Sequence, residues 1–217
     1  YDVEFRVSNR DVAFRYIVPE QKGDVRSLIV KSETSSFRLP DYATAFISPQ
    51  SDPMIGWMRT KPSYEEVFSQ DAPLTNRSQY GHGYVFPCLF RVGNDGWALI
   101  AETGVDGSYV GSRLSEWDSQ KGYTIAFPME GEQNGLGAST PGLSLPQALP
   151  WRTITVGSTL APIVETTVSY DLVEERYAPS EKYRGGRYTW SWLIWQDNYT
   201  NYETQIEFID LAATQGY

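Results

Sequence analysis

Alternation of apolar and polar residues begins with the first residues of the chain. Val3, Phe5 and Val7 are separated by Glu4 and Arg6 and followed by Ser8, the period of two that marks a half-buried strand. Asn9-Arg10-Asp11 supplies a turn, and Val12, Phe14, Tyr16 and Val18 resume the pattern, predicting a hairpin over residues 1–18. Further strands are predicted around Tyr42–Ser48, Gly83–Val92, Trp97–Thr103, Ser108–Leu114, Gly122–Phe127, Trp151–Val156 and Ile163–Val173. Asp106-Gly107, lying between two apolar runs, is the strongest short hairpin signal. Loops rich in proline and glycine, notably Gly131–Pro150, separate the strands. Many short strands with such turns make residues 1–173 an all-β sandwich or barrel.

The pattern changes at Glu174. EERYAPSEKYRGGR is charged, carries Pro179 and Gly185-Gly186, and reads as a linker over residues 174–187. An apolar run, YTWSWLIW, follows and reads as a buried strand. Tyr202, Ile206, Ile209 and Ala213 then fall at helical spacing, with Thr200 or Asn201 as N-cap and Gly216 as C-cap. One strand and one helix over residues 188–217 cannot satisfy their own edges, so the parent protein is expected to continue beyond Tyr217.

Composition narrows the function. Asp and Glu total 27 against 18 Lys and Arg, a net charge of -9 that argues against nucleic acid, whose phosphates need a basic surface. No stretch is apolar enough for a membrane span, and YDVEFRVSNR does not resemble a signal peptide. The single cysteine, Cys88, forbids an internal disulfide or a multi-cysteine zinc site. His82 is the single histidine; it sits in a Gly81-His82-Gly83 loop with no nucleophile-elbow serine to serve. Glu65-Glu66 and Glu174-Glu175 read as solvated surface, and no glycine-rich loop cradles a phosphate ahead of a helix. Asn76-Arg77-Ser78 and Asn198-Tyr199-Thr200 match the glycosylation pattern, which is common by chance.

Two features carry candidate chemistry. In the strand around Trp97–Thr103, Trp97, Leu99 and Ala101 share one face, and Ala98, Ile100 and Glu102 the other. Both faces are apolar, as in a strand covered on both sides. A carboxylate ending such a strand is either satisfied by arginine or backbone donors, or bound to a hard cation such as calcium. The second feature is aromatic. Trp190, Trp192 and Trp195 cluster in one run, where they serve core packing or stack on the apolar faces of sugar rings.

Four segments in order, FRVSNRDVAFRY, LIAETGVDGSYVGSRL, LPWRTITVG and GRYTWSWLIW…FIDLAATQGY, resemble glycoside hydrolase family 97 over nearly the whole chain. The resemblance implies a galactose-mutarotase-like β-supersandwich followed by the first βα unit of a truncated (β/α)8 barrel, with TWSWLIW as first barrel strand and Tyr202–Gln215 as first barrel helix. It implies a calcium-dependent, exo-acting α-glycosidase, an α-glucosidase or α-galactosidase, of a kind mostly periplasmic or extracellular in bacteria. In the strand that matches LIAETG the family has a calcium-binding glutamate, a role that falls on Glu102. Trp190, Trp192 and Asp197 become candidate substrate-binding residues, at the end of the first barrel strand. The catalytic carboxylates of the family lie on later strands, so the segment alone is expected to be inactive without the remainder of its barrel. The family's sandwich also has more chain ahead of the first hairpin, so the N-terminus is expected to be incomplete. A free-standing, non-catalytic carbohydrate-binding β-sandwich is the alternative, and has no use for residues 188–217.

Overall fold

The computed structural model describes residues 1–51, 68–132, 137–195 and 200–217. The chain divides into two compact units, Tyr1–Glu174 and Glu175–Tyr217. The first is mainly β.

Its framework is a run of antiparallel strands. Strand β1 (Asp2–Val7) pairs with β2 (Asp11–Val18) as the predicted hairpin, Phe5 opposite Phe14. The sheet continues from β2 through β13 (Trp151–Gly157), β8 (Gly96–Thr103) and β7 (Tyr84–Val92). Beyond β7 the path ends with three strands, β9 (Arg113–Leu114), β10 (Tyr123–Ala126) and β4 (Ser36–Phe37); off the path, β5 (Thr44–Pro49) pairs with β7 and β6 (Ser69–Pro73), and β12 (Gln147–Ala148) pairs with β2. Strands β3 (Ser27–Ile29) and β11 (Gly142–Ser144) form a separate two-stranded sheet. The side chains of Phe37, Ala45, Ile47, Tyr84, Cys88, Phe90, Ile100, Leu114, Tyr123 and Ile125 are buried together, and Phe14 and Ile154 pack against them. Burial of that apolar surface is the main force holding the sheet. It also pushes the Cys88 thiol well above its ordinary range, so Cys88 is a core residue and not a reactive one.

Three sequence expectations give way. Asp106-Gly107 does not join a hairpin. Both edges of β8 are already taken, by β7 and β13, and Arg113–Leu114 pairs instead with β7 and β10. Neither Asp106 nor Gly107 has the positive φ that a type I′ turn needs; Gly104 does, with φ 81°. Asp106 instead accepts from the Ser108 backbone N–H at 2.8 Å, a local side-chain turn.

The strand predicted over Ile163–Val173 is two short helices, α1 (Ala161–Glu165) and α2 (Val168–Leu172). Pro162 stands in the first turn of α1, where its missing N–H costs nothing. A side chain at Gly157 would meet the Pro162 ring at 2.8 Å, so the glycine lets α1 turn back onto β13.

Asp11 ties these pieces together. Its Oδ1 accepts from the Thr155 hydroxyl at 2.6 Å and the Thr166 hydroxyl at 2.8 Å, and its Oδ2 from the Ser8 hydroxyl at 2.8 Å. Burial works to raise the carboxyl's pKa, but these hydrogen bonds outweigh it and hold the group below the ordinary aspartate value of 3.8. A depressed carboxylate contributes stability above its unfolded pKa and loses that contribution as pH falls through the folded value. The expected result is progressive acid destabilisation below about pH 4. Asp11→Asn is expected to cost about 1–2 kcal/mol at neutral pH and to flatten that acid limb, as read by thermal unfolding across pH. An unchanged acid limb would show that other carboxylates carry it.

In the second unit, α4 (Tyr202–Thr214) is the predicted helix. Asn201 is its N-cap, accepting from the Thr204 N–H at 3.1 Å. Gly216, with φ 71°, ends it, and the Gly216 and Tyr217 N–H groups close onto the Ala213 and Ala212 carbonyls, a Schellman pair. The predicted strand TWSWLIW is corrected. Trp192–Trp195 is a single helical turn, α3, with the Ile194 and Trp195 N–H groups bonded to the Ser191 carbonyl. Among the described residues of this unit there is no strand for it to pair with, so its backbone groups close locally.

Candidate functional site

The register of β8 on β13 places Arg152 directly opposite Glu102, two residues along from Ile154 opposite Ile100. Both side chains therefore project to the same face of the sheet as the apolar core. On the other side of β13, Arg152 stands opposite Phe14 of β2. Residues 33–37 run extended beside β10, where the Ser35 carbonyl accepts from the Ile125 N–H at 3.2 Å. Glu33, Ser35 and Phe37 are buried in alternation, so the extended segment turns Glu33 toward the same face.

The result is a buried triad. The Arg152 guanidinium, 1% exposed, grips Glu33 with two bonds, Nε to Oε1 at 3.1 Å and Nη2 to Oε2 at 2.7 Å. Its remaining arm, Nη1, donates to Oε2 of Glu102. Oε2 of Glu102 also accepts from the Ser112 hydroxyl at 2.5 Å, and Oε1 from the Ser112 backbone N–H at 3.2 Å. Burial works to lower the Arg152 pKa, but the two carboxylates outweigh it and raise it further, so the guanidinium stays charged. The fork geometry uses Arg where Lys would not serve, because only a guanidinium reaches two carboxylates in one plane.

Two further facts describe the site. One cation faces two carboxylates, leaving the triad with a formal charge of minus one. The Tyr109 hydroxyl is buried without a hydrogen-bond partner among the described residues. Burial, then the charge of Glu33, and to a lesser degree that of Glu102, push its pKa up, while Arg152 opposes them. A buried polar atom without a partner costs about 1–3 kcal/mol, so this position has capacity for one more polar contact.

The arginine and the backbone donor named for Glu102 as one alternative are therefore present, and Arg152 is shared with Glu33, so the three groups together keep a formal charge of minus one. A hard cation takes oxygen donors, and Glu102 Oε1, with one neutral donor on it, is of the right kind. The excess negative charge is of the right sign. Among the described residues, no group of three or more His, Cys, Asp or Glu side chains could hold a metal by itself. Glu102 would supply only a small part of the six to eight oxygens that calcium requires.

The aromatic candidates lie in the second unit. Trp190 and Trp192 are stacked, ring centroids 6.0 Å apart and planes inclined by 22°, and Trp190 is 52% exposed. Trp195 instead packs edge-on against Phe208 at 4.9 Å and holds α3 to α4. Asp197 lies outside the described residues. His82 uses its backbone carbonyl, accepting from Arg113 Nε at 3.0 Å. Sequence reading missed Glu33, Arg152, Ser112 and Tyr109. Arg152, Ser112 and Tyr109 lie within the segments that carry the family resemblance, but nothing local pairs Arg152 with Glu33, which is 119 residues away.

The model for the glycosyl-hydrolase 97 N-terminal region matches residues 1–174. The chain belongs to this family. Among its family-97 relatives and other similar proteins, a "Probable retaining alpha-galactosidase" of Streptomyces bingchenggensis (strain BCW-1) is 30% identical over the whole chain, which spans 30% of that protein. A crystal structure of a beta-arabinopyranosidase is 58% identical, with a TM-score of 0.89 over 99% of this chain and 34% of that one. A Glycoside Hydrolase Family 97 enzyme from Pseudoalteromonas sp. strain K8, in complex with acarbose, shares the fold at 22% identity, with a TM-score of 0.61 over 79% of this chain and 23% of that one. The chain thus spans about a third of the length of the alpha-galactosidase and the beta-arabinopyranosidase that it matches. No helix among the described residues is long and apolar enough to cross a membrane.

Proposed function

We propose that the full-length protein is a calcium-dependent, exo-acting glycosidase of family 97 that removes terminal galacto-configured sugars, α-D-galactopyranosyl or β-L-arabinopyranosyl. The observation that carries this reading is the 58% identity to a beta-arabinopyranosidase over 99% of the chain. The 30% identity to a probable alpha-galactosidase supports it. The two sugars share ring and anomeric configuration and differ by one exocyclic hydroxymethyl group, so one hydroxyl-reading site suits both.

In this reading Glu102 contributes one carboxylate oxygen to the calcium, and the stacked Trp190 and Trp192 offer an aromatic face to a sugar ring. Asp197 remains a candidate from sequence. Calcium, when bound, supplies Lewis-acid and templating chemistry at sugar hydroxyls. Arg152 and Ser112 fix the orientation of the Glu102 carboxylate, and Glu33 keeps the cluster anionic.

The test uses the full-length protein on α-galactosides, β-L-arabinopyranosides and α-glucosides, with and without chelator, following the released anomer by proton NMR. Chelator-sensitive release from a galacto-configured substrate is expected. Glu102→Gln is expected to lower calcium affinity about 10-fold or more and hydrolysis with it. A folded full-length protein that cleaves none of these substrates would overturn the reading and leave a sugar-binding sandwich. Release indifferent to chelator would remove calcium from it.

A further inference from the structure

We propose that Glu33 is a positioning residue that sets the charge of the Glu102 site: by engaging two arms of Arg152, it leaves Glu102 oriented by the third arm yet still net anionic toward a cation. The proposal rests on the reading of Glu102 as a calcium ligand and goes beyond it to a residue on a separate segment of the chain.

The geometry divides the roles. Arg152 alone with Glu102 would form a neutral pair, and a neutral pair has little to offer a divalent ion. The bidentate bonds at 3.1 and 2.7 Å commit Nε and Nη2 to Glu33, so its carboxylate is held against the guanidinium at close range. At such distances in a buried site the guanidinium charge is largely compensated by Glu33. What remains of Arg152 toward Glu102 is one directional bond, which fixes the carboxylate's rotation. Ser112 supplies two more donors to the same end. The carboxylate is thus locked in rotation without being neutralised, which is what a ligand oxygen requires of its supporting groups.

The partnerless Tyr109 hydroxyl is an independent sign that the cluster is incomplete as it stands. It is buried within the influence of Glu33 and Glu102, and no side chain among the described residues satisfies it. A water or an ion at the edge of the triad would meet both the excess charge and the orphan hydroxyl.

The experiment measures calcium binding itself, by isothermal titration of the chelator-stripped full-length protein with calcium chloride. Glu33→Gln, which keeps the shape and removes the charge, is expected to weaken calcium binding about 10-fold or more. Glu33→Asp, which keeps the charge, is expected to retain more of the affinity than Glu33→Gln. Thermal unfolding with chelator present and with saturating calcium reads the same effect separately from fold stability: the calcium-induced rise in Tm should shrink in Glu33→Gln. A structural role alone would lower both Tm values equally and leave their difference untouched. That outcome, or equal affinity in the wild type and Glu33→Gln, overturns the proposal. Should Glu33→Gln not fold, Glu33→Asp with wild-type folding but affinity lowered as far as in Glu102→Gln would also overturn it, since charge would then not be the property that matters. Glu102→Gln binds calcium normally only if the underlying reading is wrong, whereas normal binding confined to the Glu33 variants sinks the positioning role alone.

Discussion

Arg152→Met is expected to destabilise the sheet by about 3–5 kcal/mol. The substitution keeps much of the side chain's apolar length, so lost packing is not the main cost. What it removes is the cation between two buried carboxylates. Glu33 would lose both of its hydrogen bonds to Arg152, and Glu102 would keep Ser112 but face a second anion without screening. Two carboxylates in that position cannot both stay ionised cheaply, so one must take a proton or the structure must open to water.

The loss should appear where the triad sits. Hydrogen exchange of the full-length protein should show reduced protection along Gly96–Thr103 and Trp151–Gly157, the two strands that Arg152 and Glu102 join. Adding Glu33→Gln and Glu102→Gln to Arg152→Met should restore part of that protection, because it removes the uncompensated charges along with the cation. Wild-type exchange in Arg152→Met would mean that the triad contributes nothing to stability.

The same strands show how far the sequence could be read. The hairpin of β1 and β2 was legible from its alternation alone, although Val3, Phe5 and Val7 are exposed and not half-buried as that alternation suggests; β7 and β8 were legible because Cys88 with Phe90, and Ala98 with Ile100, recur with period two on a buried face. Ala98, Ile100 and Glu102 lie on one face as that period requires, and Glu102 ends the strand as expected. Pairing was less legible. Asp106-Gly107 has the composition of a hairpin, but which strand sits beside β8 is decided by β7 and β13 competing for its two edges, and no local window records that competition.

Helix and strand were confused where apolar runs were short. Ile163–Val173 and TWSWLIW have no length or period that separates the two. Pro162 and Gly157 decide the first through a close approach that only the folded chain brings about. The site was half visible: a carboxylate at the end of a two-faced strand stood out, whereas its partners Arg152 and Glu33 depend on antiparallel register and on a loop returning from 119 residues away. Chemistry in this chain is assembled by topology, and a linear motif carries only the part that lies on one strand.

Gly83→Ala is the second substitution expected to have a large effect, about 2–5 kcal/mol. Gly83 has φ 83°, a conformation that costs a residue with a Cβ about 1–2 kcal/mol. The added Cβ would also lie 2.1 Å from the Leu114 carbonyl oxygen, which is backbone and cannot swing away. Relieving such an overlap in a packed region costs roughly 1–3 kcal/mol more. The position does three jobs at once. Its N–H donates to Ser78 Oγ at 3.2 Å and to Glu116 Oε1 at 3.1 Å, its carbonyl accepts from the Gln50 N–H at 2.9 Å, and the next residue, Tyr84, begins β7 opposite Leu114. Any shift that makes room for the Cβ must therefore stretch the β7–β9 pairing or break the Glu116 contacts. The expected readout is loss of hydrogen-exchange protection at Tyr84–Val92 and Arg113–Leu114 in the full-length protein. Gly81→Ala provides the control: its φ is 73°, but a Cβ there meets nothing within 4 Å, so only the conformational cost remains. The close approach of β9 dominates if the two variants differ by more than about 1 kcal/mol, and equal losses would assign the whole effect to the backbone angle.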